Sequence, residues 1–268
     1  MASGLLSTES LKMQDYLLTA PSLAAITFVC AFGCALAGAF VRDRLPADQL
    51  SKESQDVIRL GMGLIATMTA LLLGMVTATT RIAYDAQDVA LKTAAVNILT
   101  LDRHLARYGE TAKPTRDLLR KAVEYRLAVT WPDEGPARGF KDATPTPAIE
   151  DIQTQILAWE TRTDAERFYK AEALKLSEEV MKTRWRLLAA SSSIPRGFLG
   201  VVIFWLAVTF TSFGLYAPRN ATVISALFIA ALSVALALFL IVELDGAFDG
   251  YIRISPEPIR FVLQELGK

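Results

Sequence analysis

Four uncharged stretches, each long enough to cross a bilayer as a helix, decide the solvent in which this chain must fold. They run from Tyr16 to Val41, Leu60 to Thr80, Gly197 to Pro218 and Asn220 to Val242, and none contains Asp, Glu, Lys, Arg or His. Roughly 20 apolar residues of helix cross the hydrocarbon core, where every backbone polar group must be satisfied inside the helix itself. The chain is therefore expected to be an all-α membrane protein: four transmembrane helices arranged as two hairpins flanking a helical soluble domain. The first hairpin takes residues 1–80, with spans at about 22–41 and 60–80; the second takes residues 197–268, with spans at about 198–217 and 221–242.

The polarity of the chain is concentrated between these hairpins. Charged residues make up 21% of a sequence that is 52% apolar, and residues 81–196 hold 19 Lys/Arg and 17 Asp/Glu. That balance reads as a water-soluble domain long enough for a core of its own. A net charge of zero with interleaved signs leaves no basic stripe, so nucleic acid is not an expected partner. The expected partners are the lipid bilayer, further copies of the chain and an inorganic ion. Near the N-terminus, Ala35-Leu36-Ala37 has the look of a signal-peptidase site. The segment nevertheless opens with Glu9, Lys12 and Asp15 and then stays uncharged for 26 residues, which reads as a retained anchor.

After the first span, Arg42-Asp43-Arg44 marks the exit into the headgroups, and a short polar connector with helix-start signals at Pro46 and Ser51 leads to the second span. From Arg81 no Gly or Pro intervenes until Gly109, so the second span is expected to continue in water as one helix to about 108. Its projecting part repeats Leu91, Ala94, Ile98, Leu101, Leu105 and Tyr108 at spacings of three and four, a stripe that must be buried against another helix. Pro114 is expected to open a helix through about Thr130, followed by a loop from Trp131 to Pro147 that is rich in Pro and Gly. Pro147 restarts a helix through Trp159. Thr163-Asp164 with Glu166 looks like the cap of a last helix running to about Ser192. No sustained period-two pattern appears, so the domain is read as all-helical. Ser255-Pro256-Glu257 begins a short C-terminal helix, 256–266, with Ser as N-cap, Pro at the first helical position and an acid at the positive helix end.

Orientation follows from Lys and Arg near the membrane ends. Lys12, Arg81, Lys92, Lys182, Arg184, Arg186, Arg196, Arg253 and Arg260 lie on the side of the central domain and both termini, against Arg42, Arg44, Lys52, Arg59 and Arg219 on the other. Nine against five favours a cytoplasmic domain and termini.

Candidate functional residues are few. On the second span Gly63, Thr67, Ala70, Gly74, Thr77 and Arg81 share one helix face. Small residues at such spacing let helices approach closely, which is one reading of the stripe. The sharper reading is a pore lining, with the hydroxyls of Thr67 and Thr77 replacing part of an ion's hydration, Arg81 drawing anions at the mouth, and Leu71 or Met75 as the constriction. Glu243, Asp245 and Asp249 follow the fourth span as a candidate acidic ion site, or as turn caps paired with Arg253. Spans without an ionisable group argue against a proton-driven transporter, since protons need a titrating carrier. Cys30 and Cys34, four apart in the first span, read as small apolar packing residues, and the single His104 has no partners for a metal site or a triad. Neither a metal, a cofactor nor a catalytic residue is expected, and the chain is not read as an enzyme.

The C-terminal third carries a resemblance. Trp205, Ser212-Phe213-Gly214-Leu215, Ala217-Pro218 with Asn220, then Glu243-Leu244-Asp245 with Phe248, Gly250 and Ile252-Arg253-Ile254-Ser255-Pro256-Glu257-Pro258 resemble the bestrophin-like family of bacterial membrane proteins, a domain of unknown function. Leu60 to Gly74, Leu101-Asp102 and Tyr108-Gly109 extend the likeness over both hairpins. Ala247 stands where the family often has Pro, and Asp249 where a small residue is commoner. True bestrophins are pentameric anion channels with two membrane hairpins around a cytoplasmic helical region. The resemblance thus implies this layout and placement in a bacterial inner membrane, although nothing here matches their aromatic pore neck. The expected function is a homo-oligomeric ion channel, anion rather than cation, lined by the second span. The alternative is a non-conducting membrane-anchored helical scaffold or sensor whose soluble domain binds a partner.

Overall fold

The computed structural model describes residues 19–44, 52–132, 149–190, 194, 196–218, 220–248 and 250–268. Of the expected connector from Pro46 to Arg59, residues 46–51 lie outside them, as do the helix start at Pro147 and most of the Pro/Gly-rich segment, whereas residues 52–59 are already helical. Among the described residues there are eight α-helices: α1 Ala20–Val41, α2 Lys52–Tyr108, α3 Lys113–Thr130, α4 Ile149–Leu157, α5 Asp164–Ala189, α6 Arg196–Tyr216, α7 Ala221–Asp245 and α8 Glu257–Glu265. No strand occurs among the described residues, and α1, α2, α6 and α7 are long and apolar enough to cross a membrane. The chain divides into two compact units. One comprises residues 1–81 and 192–245, the other residues 82–191 and 246–268.

In the first unit the chain neighbours are not the packing neighbours. α1 is the central helix and packs against α6 and α7. Lipid tails are as apolar as leucine, so helices in a bilayer associate through close packing, and small residues provide it. At Gly38 of α1 and Gly214 of α6 the two backbones touch reciprocally: an added Cβ on Gly38 would overlap the Thr211 carbonyl oxygen, and one on Gly214 the Ala35 carbonyl oxygen. Ala31 and Ala35, almost fully buried, continue the same face of α1. Arg42 ends the helix and donates from Nη1 to the Ala217 carbonyl at 2.6 Å, placing a cation on the carbonyl end of α6. On the other flank the Phe228 ring of α7 meets Phe28 and Phe32 edge-on, at centroid distances of 5.2 and 5.5 Å. The α2 span reaches this cluster through Leu73 and Val76.

The second unit is organised as a water-soluble domain. Leu101 and Leu105 of α2, Leu119 of α3, Ile152 and Ile156 of α4, and Ile254 beyond α7 are its most deeply buried aliphatic residues. Several helix ends are closed by local devices. Gly109, at φ 114°, takes the left-handed conformation that stops α2. Lys170 of α5 donates to the carbonyls of Leu157 and Trp159 at 2.9 and 2.7 Å, satisfying the end of α4. Thr163 and Glu166 form a full capping box at the start of α5. The backbone N–H groups of Arg162 and Thr163 hold the Glu166 carboxyl below its ordinary range. Tyr108 stacks on Trp159 at 4.3 Å and donates to the Glu160 carbonyl; burial and the neighbouring acids push its phenol up. At α8, Ser255 Oγ accepts from the Glu257 N–H at 3.3 Å, whereas Pro256 occupies the cap position, one residue later than the sequence suggests.

A buried carboxylate ties the C-terminal residues to this core. Asp102 of α2 is fully buried and accepts two hydrogen bonds from Arg116 of α3, at 2.8 and 3.0 Å, and a third from the Gly267 N–H at 3.3 Å. The bond to Asp102 raises the Arg116 pKa against the opposing effect of burial. Arg103 and Arg120 donate to the Lys268 and Leu266 carbonyls. Trp131 donates its indole N–H to the Ile254 carbonyl at 2.8 Å.

Two outcomes follow. Gly214→Ala is expected to lower the melting midpoint of the purified protein, with an overpacking cost of about 1–3 kcal/mol, whereas Gly33→Ala, where a Cβ meets nothing within 4 Å, leaves it unchanged. Asp102→Asn breaks a buried charged pair and is expected to cost about 3 kcal/mol, read in the thermal transition followed by circular dichroism.

Candidate functional site

The candidate site lies on α2, and its character comes from which faces of that helix the chain leaves uncovered. Between Leu60 and Thr80 only Thr69 and Thr80 are buried, and with Leu73 and Val76 they form the side that meets the rest of the first unit. Successive residues turn by about 100°, which puts Gly63, Thr67, Ala70, Gly74, Thr77 and Arg81 within one arc that adjoins this side, centred roughly 110° round the helix from it. All six are exposed. A Cβ built on Gly63 or Gly74 meets nothing within 4 Å, so the small residues of this stripe are not used for close helix packing within the chain.

The hydroxyls on the stripe are already committed to the helix. Thr67 Oγ1 donates to the Gly63 carbonyl at 2.8 Å, and Thr77 Oγ1 to the Leu73 carbonyl at 2.7 Å. Each therefore presents its oxygen lone pairs, while its proton is held by the helix backbone. Arg81, where the uncharged run ends, has an interaction partner within the protein.

Leu71 and Met75, the candidate constriction, are 73% and 64% exposed. They lie on an adjoining arc, roughly 100° round the helix from the small stripe. That arc also carries Leu60, Leu64 and Met68, and its apolar character continues where the second unit begins. Met68, Met75, Ile82, Val89 and Val96 follow one another at intervals of seven, each at least 46% exposed. Sequence reasoning missed this series, although the seven-residue repetition was its signal. A strict seven-residue period drifts by about 20° per repeat on a straight helix and is matched by a partner that supercoils around it.

Glu243 is buried and Asp245 half-buried near the end of α7, both engaged with partners in the protein, and Asp249 lies outside the described residues. Among the described residues no group of three or more His, Cys, Asp or Glu is placed to hold a metal. Cys30 and Cys34 are half-buried free thiols on α1. His104 packs its ring near Tyr169 of α5, at 5.8 Å, with Nδ1 buried and no hydrogen bond to it.

With uncharged membrane spans at both ends of the chain and a helical domain between them, the class is a polytopic α-helical membrane protein. The family model for the bestrophin-like domain matches residues 29–259, and the chain belongs to that family. No curated protein and no solved structure matches it.

Because the stripe threonines bond their own helix and face outward, Thr67→Ala and Thr77→Ala are expected to leave the melting midpoint of detergent-solubilised monomer within about 0.5 kcal/mol of wild type. A larger loss would place these side chains in a packed interface.

Proposed function

We propose that the protein is a homo-oligomeric ion channel in which copies of α2 surround an axis, with the small stripe facing the path and the apolar arc facing a neighbouring copy. The observation that carries this reading is the wide uncovered surface of α2. Apolar side chains at bilayer depth can face lipid at no cost, but Ile82, Val89 and Val96 belong to the water-soluble unit, where large exposed apolar residues in a regular row mark an interaction surface. Two adjacent faces, one small and hydroxyl-bearing and one apolar with a seven-residue period, are what a helix around a lumen requires.

Conduction would be passive. The outward lone pairs of Thr67 and Thr77 and the dipoles of the helix would stand in for part of an ion's hydration, while Leu71 and Met75 would narrow or dewet the path if the helices rotate. The absence of any ionisable side chain from Leu60 to Thr80 and the guanidinium of Arg81 at the end of that run favour anions. The Lys/Arg distribution supports a bacterial inner membrane with the helical unit and both termini in the cytoplasm. We read the chain as non-enzymatic. The second reading, a membrane-anchored sensor, is favoured by one observation, a half-open pocket of about 110 Å³ in the helical unit lined by Ile98, Val123, Ile152, Arg184 and Leu187.

The test joins mass and flux. Purified protein that is monomeric in detergent and in lipid nanodiscs excludes a central path. If it is oligomeric, Thr67→Leu is expected to cut anion efflux from reconstituted liposomes at least about tenfold while the oligomer's mass stays the same, since a bulky apolar group replaces a coordinating hydroxyl. Flux that persists unaltered in this variant removes α2 from the lining.

A further inference from the structure

Two exposed aromatic side chains of the second unit stand close, along the chain, to the ends of membrane helices. Trp185 is 55% exposed and lies one turn before the end of α5, the last helix before α6. Tyr251 is 80% exposed and follows the last residue of α7, Asp245, by six positions. Each has an exposed arginine near it, Arg186 and Arg253.

Neither ring is exposed because its backbone is loose. Trp185 stands between the buried Thr183 and Leu187 of a continuous helix, with the Arg184 guanidinium 6.0 Å from the centre of its ring. Tyr251 belongs to a turn held at both ends. Ala247, Phe248 and Ile254 are buried in the core of the second unit, and the Ile254 N–H donates to the Ala247 carbonyl at 2.8 Å. Gly250 supplies a left-handed φ of 89° within that turn. Tyr251 and Ile252 also interact within the protein, yet both stay exposed. A fixed aromatic surface turned to water forgoes the gain of burial and marks a contact made with something else.

We infer that Trp185 and Tyr251, each with its neighbouring arginine, seat in the headgroup layer of the bilayer, the ring against the upper acyl chains and the guanidinium on lipid phosphate. Trp and Tyr join an apolar body to a polar edge, and the boundary between hydrocarbon and water is where both parts are satisfied. Chain continuity selects this occupant over another protein, because α6 and α7 are themselves long and apolar enough to cross the membrane. The charges agree. Lys182 and Arg184 are ion-paired within the second unit, with Glu178, Glu179 and Glu150, which leaves Arg186 and Arg253 to meet the phosphates. Exposure alone is not the criterion, since Phe168 is 57% exposed on the same helix as Trp185. It lies about 25 Å of helix away, and a headgroup layer is far thinner than that. The inference does not depend on whether α2 lines a pore.

Fluorescence of the full-length protein in phosphatidylglycerol liposomes provides the test, using lipid brominated near the headgroup end of its acyl chains as one quencher and aqueous acrylamide as the other. The signal lost in Trp185→Phe belongs to Trp185, and the signal gained in Tyr251→Trp belongs to position 251. Both positions are exposed, so neither change removes a packed side chain. Each signal is expected to fall at least about twofold in the brominated lipid, whereas the signal gained in Phe168→Trp is quenched by acrylamide and untouched by bromine. Arg186→Gln combined with Arg253→Gln is expected to lower the bromine quenching at both positions by at least about half. Signals quenched by acrylamide alone put the rings in water, and signals shielded from both quenchers put them beneath another copy of the chain; either result overturns the inference. Equal bromine quenching in Phe168→Trp overturns it too, and quenching unaltered in the double arginine variant overturns the phosphate contact.

Discussion

The structure depends on one unbroken helix with one buried face. In α2 the residues turned inward are Thr69, Leu73, Val76 and Thr80, then, past the half-buried Tyr84, Leu91, Ala94, Ile98, Leu101 and Leu105. They recur by threes and fours with a mean near 3.6, the period of a straight helix, so they hold one side of it throughout. No Gly or Pro interrupts the chain from Arg81 until Gly109, so within each unit the helix commits a single face to the core. The uncovered arc is the complement of that commitment, and both the small stripe and the seven-residue apolar series follow from it.

The two units answer the same problem, holding helices together, under different solvents. In the first, burial from water has already been supplied by the bilayer, and specificity comes from backbone approach at Gly38 and Gly214 and from the rings of Phe28, Phe32 and Phe228. In the second, aliphatic burial drives assembly and polar groups fix its details: Asp102 with Arg116 and Gly267, Lys170 on the end of α4, Trp131 on Ile254. A buried charge such as Asp102 is tolerated because the Arg116 guanidinium pairs with it and three hydrogen bonds satisfy its oxygens.

How much of this was legible depends on the range of the interaction. The four membrane helices are written in composition, since a bilayer accepts little else. The cap at Thr163 and Glu166 and the stop at Gly109 are local chemistry, and they too can be read from the sequence. Pairing at long range cannot. Ala31, Ala35 and Gly38 on α1 form a small face of the same kind as Gly63, Thr67, Ala70 and Gly74 on α2, and spacing alone does not say which one the chain covers. Nothing in the sequence around Asp102 says that Gly267 and Arg116 close over it. The pocket beside Arg184 has no sequence signature at all, because it is defined by how α2, α3, α4, α5 and α8 come together.

The reciprocal contact at Gly38 and Gly214 also sets an order in time. Its two halves are separated by most of the chain, so during synthesis α1 enters the membrane long before α6 exists to receive it. At about 5–20 residues per second that interval is of the order of 10–40 seconds. The second unit waits in the same way, for Ile254, Ile259 and Gly267 all follow the second hairpin. Each unit is thus started by segments made well before those that close it, and a ribosome that stalls inside the helical domain leaves both of them open at once.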